Sequence, residues 1–123
     1  MKGLFLGSLV CLLLLAGCGK TEPVPYDSIT WTNRYYITHP VETLNHTAGG
    51  WMFRGAKDID GTLRVGFMVP APLHPDKDRR QANLQLICPR KSEGIWRILP
   101  EDNHFYIDVW TQNLKFRDSF KCR

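Results

Sequence analysis

Chemistry needs reactive side chains brought together, and the candidates in this sequence are its cysteines, four histidines and a scatter of acidic residues. Cys88 and Cys122 are far apart in the chain and the first sits in an apolar run, whereas thiol–disulfide catalysis favours closely spaced cysteines with an accessible thiolate. His39, His46, His74 and His104 are dispersed, and none belongs to the HExxH spacing that turns two imidazoles toward one zinc ion. Ser119, His104 and Asp108 supply the residue types of a nucleophilic triad, but a triad is defined by geometry and any chain of this size offers similar triplets. Asp58, Asp60, Asp76, Asp78, Glu101 and Asp102 fall in turns, where aspartate bonds to nearby backbone. Asp58-Ile59-Asp60-Gly61 has the alternating acids of a calcium loop, yet the position that needs its closing glutamate is Val69. A glycine-rich phosphate cradle is absent, and Asn45-His46-Thr47, although a glycosylation sequon, reads as a polar loop. These residues predict no enzyme, no metal site and no cofactor.

The N-terminus is more specific. Met1-Lys2 is a short positive start, Leu4 to Ala16 carries no charge, and the small residues Ala16-Gly17 precede Cys18. The apolar run is shorter than the roughly 20 residues a helix needs to cross a bilayer core. Leu15-Ala16-Gly17-Cys18 closely resembles the lipobox of bacterial lipoprotein signal peptides. The resemblance implies that residues 1–17 are removed, and that Cys18 becomes the mature N-terminus with a diacylglycerol thioether and an acylated amine, palmitate being the usual chain. It further implies sorting to the outer membrane, facing the periplasm, because Gly19 rather than an aspartate follows the cysteine. Two or three acyl chains anchor firmly, each buried methylene contributing about 0.8 kcal/mol. Residues 18–28, with Pro23 and Pro25, then read as a lipidated start and a flexible tether of roughly 30 Å reach, and residues 29–123 as a single envelope domain.

In that domain the hydrophobic pattern is strand-like. Leu63, Val65, Phe67 and Val69 alternate with Arg64, Gly66 and Met68; Ala82, Leu84, Leu86 and Cys88 alternate with Asn83, Gln85 and Ile87; Phe105, Ile107 and Val109 alternate with Tyr106, Asp108 and Trp110. Ile29 to Thr38, Gly50 to Arg54, Gly94 to Leu99 and Lys115 to Cys122 are further strand candidates, separated by turn-rich stretches. Helical signals are confined to the stretches from Pro40 to Gly49 and from Asp76 to Leu84. The pattern predicts an all-β fold, a small antiparallel β-sandwich or barrel of about seven strands with room for one short helix. Removal of Cys11 with the leader and acylation of Cys18 leave Cys88 and Cys122 to form one disulfide in an oxidising compartment. Closing that loop of about 35 residues is worth roughly 3 to 4 kcal/mol in the chain-entropy picture, a large share for a core of about 100 residues.

The net charge of +4 over 123 residues is carried by mixed clusters such as Arg79-Arg80, Arg90-Lys91 and Lys115 to Lys121, interrupted by acids. With export, this argues against nucleic acid as a partner. Aromatics offer better binding candidates: with Phe105, Ile107 and Val109 inward, Tyr106 and Trp110 face the opposite side of their strand. Leu73, in a connection restricted by Pro70, Pro72 and Pro75, is a second candidate contact at a loop tip. The function these features predict is a non-enzymatic, membrane-anchored protein–protein interaction module, an accessory subunit of an envelope assembly such as a secretion or conjugation system. Its alternatives are a lipid-anchored inhibitor or immunity protein against a lytic enzyme or toxin and, less favoured, an enzyme on cell-wall or lipid substrates.

Overall fold

Where the period-two alternation is strongest it builds strands. Leu63, Val65, Phe67, Phe105 and Ile107 are all fully buried, and their alternating neighbours lie on the other face. The computed structural model describes residues 22–39 and 50–123. In chain order the elements are α1 (Tyr26–Thr38), β1 (Met52–Ile59), β2 (Thr62–Val69), α2 (Lys77–Gln85), α3 (Ile95–Ile98), β3 (Phe105–Thr111) and β4 (Arg117–Lys121). The strands form one sheet in the order β1-β2-β3-β4, antiparallel at both outer pairs and parallel between β2 and β3. The expected antiparallel sandwich or barrel of about seven strands is therefore corrected to an α/β fold, an open mixed sheet of four strands with three helices among the described residues.

Three segments read as strands are helical, each for a visible reason. In α1 the buried residues are Ser28, Thr32, Tyr35 and Tyr36, a helical spacing written half in hydroxyl side chains. Ser28 Oγ donates to Ile98 O (3.3 Å) and Thr32 Oγ1 to Ser28 O (2.8 Å), so these small polar residues are satisfied inside the core. In α2, Asp76 caps the first turn by accepting from the Arg79 amide (3.2 Å). The apparent alternation from Ala82 to Cys88 dissolves there: Leu84 and Ile87, three apart, are buried, and Leu86 is 59% exposed. Ile95 and Leu99, four apart, anchor the short α3.

All three helices cover the same face of the sheet. Tyr36 of α1 packs on Phe53 and Phe67, Leu84 of α2 enters the core, and Trp96 of α3 packs on Phe105. The crossover from β2 to β3 carries α2 and α3, which is what permits a parallel central pair. The β1–β2 hairpin turns on Asp60 (φ 51°) and Gly61 (φ 83°), a two-residue turn whose positive φ values suit Asp-Gly. Both outer strands are blunted by helix amides, with Asn33 Oδ1 accepting from the Ala56 amide (3.0 Å) and Gln81 Nε2 donating to Ser119 O (3.2 Å).

Cys88 and Cys122 form a disulfide with Cα atoms 5.8 Å apart, tying the chain after α2 to the end of β4. At the opposite terminus Val24 is buried, and the fully buried Asn103 donates through Nδ2 to Glu22 O (2.7 Å) and Gly61 O (2.8 Å). With α1 beginning at Tyr26, the stretch read as a tether to Ser28 is packed against the domain from Glu22 onward. Among the described residues no helix is long and apolar enough to cross a membrane.

Candidate binding surface

The helices bury one face of the sheet and leave the other without cover among the described residues. Register fixes what that open face presents, because directly paired residues point the same way. Across it run Met52 and Met68, Lys57 and Arg64, Arg64 and Tyr106, Met68 and Trp110, Tyr106 and Lys121, Asp108 and Ser119, and Trp110 and Arg117. Arg54, at the irregularity between Phe53 and Gly55, adds its side chain beside Gly66. Five cations, Arg54, Lys57, Arg64, Arg117 and Lys121, thus share the face with Asp108 as the one carboxylate facing them.

Two contacts organise this surface. Arg64 Nη1 binds Asp108 Oδ1 at 2.7 Å and its guanidinium lies 4.5 Å from the Tyr106 ring centroid, while Ser119 Oγ donates to the same carboxylate oxygen at 2.6 Å. Asp108 is thereby neutralised and Arg64 held in one geometry. The second contact is the indole of Trp110, which lies across the neighbouring strand over Gly66. A Cβ at residue 66 would sit 2.5 Å from Trp110 Cη2 and 2.8 Å from Cζ3, distances that backbone and ring cannot both accept. One face of the indole is held against the sheet and the ring is half-buried. Beside it a shallow recess of about 640 Å³ is lined by Leu114 and Arg117 among others. Leu114 is 58% exposed at a φ of 60°, a left-handed backbone that costs a branched side chain energy.

On the helix side of β4, burial opposes ionisation of Asp118, but bonds from Arg80 Nε (2.9 Å), the Ser119 amide (2.8 Å) and Gln81 Nε2 (3.3 Å) outweigh it. The carboxyl is held below its ordinary value.

The residues singled out in the sequence separate clearly. Tyr106 and Trp110 stand together on the open face, opposite buried Phe105, Ile107 and Val109. Leu73 is elsewhere and is not a projecting tip: it is partly buried against the helix-side core. Cys18 and His46 lie outside the described residues. Ser119 and Asp108 do meet, but His104 points to Arg123 O (3.2 Å), so the triad composition is not assembled. Asp58 accepts from the Gly61 amide (2.9 Å) as a turn residue, and among the described residues no group of three His, Cys, Asp or Glu side chains is placed to hold a metal ion. Sequence reasoning missed Gly66, Arg64, Arg117 and Leu114. The sole linear signal was a glycine inside the alternating run of β2, a mark of close approach by another group.

The chain matches no family model, no curated protein sequence and no solved structure.

Proposed function

We propose that this chain is a lipid-anchored, non-catalytic docking domain of the bacterial envelope that holds a protein partner on the open face of its sheet. The observation that carries the reading is that face itself: one preorganised indole over Gly66, a recess beside it, and five cations facing one neutralised carboxylate. Tryptophan and arginine concentrate binding energy at interfaces, and the uncompensated charge selects an acidic partner surface with an apolar projection and speeds its encounter. An accessory subunit of a secretion or conjugation assembly fits this description. The inhibitor alternative called for a rigid plug at Leu73, a side chain that is partly buried against the core.

Anchoring through Cys18 belongs to the same proposal and has a geometric consequence. With the chain packed from Glu22, only Gly19 to Thr21 separate the acylated residue from the domain, a span of about 13 Å. The partner would then be met next to the lipid headgroups, closer than a tether running to Ser28 allows. Two experiments test the reading. Labelling with a clickable fatty acid should mark the chain and fail with Cys18→Ala, which should also release it from membranes; an unchanged membrane fraction defeats the anchor. Isolation from gently solubilised membranes should yield an envelope protein that is lost with Trp110→Ala or Arg117→Glu and kept with Ile37→Ala on the exposed side of α1. Equal retention by all three variants defeats the docking face.

A further inference from the structure

Tyr35 and Tyr36 are neighbours in α1 and both are more than nine-tenths buried, but only the Tyr36 hydroxyl is hydrogen-bonded among the described residues. Tyr36 Oη donates to Ile87 O at 2.6 Å. The Tyr35 ring is stacked between Trp31 (5.0 Å) and His39 (4.6 Å), which fixes its direction, and its hydroxyl has no hydrogen-bond partner among the described residues. That hydroxyl opens on a groove of about 950 Å³, within the usual range for small-molecule sites. Tyr35, Trp96, Phe120 and the Cys88–Cys122 disulfide form its apolar lining, Arg90 and Lys91 supply its cations, and Gln85 borders it; Lys121 also borders it, but its side chain belongs to the open face of the sheet. Neither Arg90 nor Lys91 has a carboxylate within ion-pairing distance among the described residues. Arg123 also lines the groove, but its guanidinium is committed to the Leu99, Pro100 and Asn103 carbonyls and to the Trp96 ring. Burial and the nearby Glu93 push Tyr35 above the ordinary phenol value, partly offset by Arg90, so at neutral pH the hydroxyl is a donor.

We propose that this groove is a second binding site, independent of the open sheet face, for a small amphiphilic anion, with a phosphate or carboxylate head at Tyr35 Oη, Arg90 and Lys91 and an apolar body over Trp96 and Phe120. Tyr35 Oη, Arg90 and Lys91 all donate, and two of them are cationic, so an anionic acceptor is the head they complement. Trp96, Phe120 and the disulfide offer the rest of the ligand mainly apolar surface, which favours a hydrocarbon or ring over a second polar group.

Octyl phosphate, kept below its micellar concentration, is the probe, titrated calorimetrically into the full chain in phosphatidylcholine nanodiscs with empty discs as the blank. Saturable binding is expected, with inorganic phosphate and neutral octyl glucoside each about tenfold weaker or more. Tyr35→Phe retains the stacked ring and removes only the hydroxyl, and should weaken octyl phosphate about tenfold. Arg90→Glu with Lys91→Glu, both exposed, should weaken it at least as much without touching the fold. Displacement of the probe by phosphatidylglycerol vesicles assigns the natural head to a bilayer lipid, and bound probe that vesicles leave in place assigns it to a free amphiphile. Absence of saturation, octyl glucoside binding as tightly as octyl phosphate, or wild-type affinity in both variants overturns the site. Wild-type affinity in Trp110→Ala keeps this outcome separate from that of the docking face.

Discussion

Gly66→Ala, a change of one methyl group, should couple to Trp110 and to almost nothing else. The new Cβ would meet the indole at 2.5 and 2.8 Å, while its next neighbour, Arg54 Cβ, is 3.8 Å away, an ordinary contact. Residue 66 does not need a positive φ, so alanine is admissible to the backbone and gains slightly in a strand. The penalty must therefore come from the ring, which either strains against the methyl group or swings off the sheet and loses its packing. Overpacking of this kind costs about 1 to 3 kcal/mol. In a Trp110→Ala background the obstacle is gone, and Gly66→Ala should be neutral or stabilising by about 0.5 kcal/mol. The double-mutant cycle, measured by urea denaturation, should return a coupling of at least about 1 kcal/mol. Near-ultraviolet circular dichroism should lose an indole signal in the single Gly66 variant. Equal costs in the two backgrounds would show that Trp110 does not lie over Gly66, and the preorganised platform would be lost with it.

Other parts of the molecule give sharper contrasts. Tyr36→Phe removes a buried hydrogen bond to Ile87 O and should cost about 1 to 2 kcal/mol, whereas Tyr35→Phe should cost under about 0.5 kcal/mol by the same denaturation assay. Replacing both Cys88 and Cys122 by alanine should lower stability by about 3 to 4 kcal/mol, and reductant should then have no further effect. Asp118, whose carboxyl is depressed in the fold, contributes stability that is present above its unfolded value and lost as pH falls through the lower folded one. Acid unfolding curves should accordingly show a loss below about pH 4 that Asp118→Asn flattens. Asn103→Ala breaks the bonds to Glu22 O and Gly61 O and should raise amide exchange in residues 22–25 and the Asp60-Gly61 turn together.

How far the sequence could be read depended on whether burial was written in hydrophobic residues. In β2 and β3 it was, and Leu63 to Val69 and Phe105 to Val109 were legible residue by residue. In α1 the core face passes through Ser28 and Thr32, which hydropathy scores as exterior, and the surrounding Tyr, Thr and Ile residues favour strands. In α2 the alternation of Leu84, Leu86 and Cys88 imitated a strand because Leu86 is an apolar residue left in solvent. The parallel pairing of β2 with β3 is a consequence of the crossover and leaves no mark in either strand. At the candidate surface, Tyr106 and Trp110 were placed on the right face by the same period of two that buried their neighbours. What Trp110 rests on, and which cations surround it, depended on register between strands, so Gly66, Arg64 and Arg117 could not be joined to it beforehand. The Cys88–Cys122 bond was legible from counting cysteines, given the leader that the lipobox implies.

The docking claim is tested most directly by a photo-reactive amino acid placed at Arg117, beside Trp110, and at Ile37 on the helix side, followed by irradiation of living cells. One discrete cross-linked envelope protein is expected from position 117, lost when Trp110→Ala is added, and none from position 37. The same product from both positions, or products only from position 37, would contradict the claim.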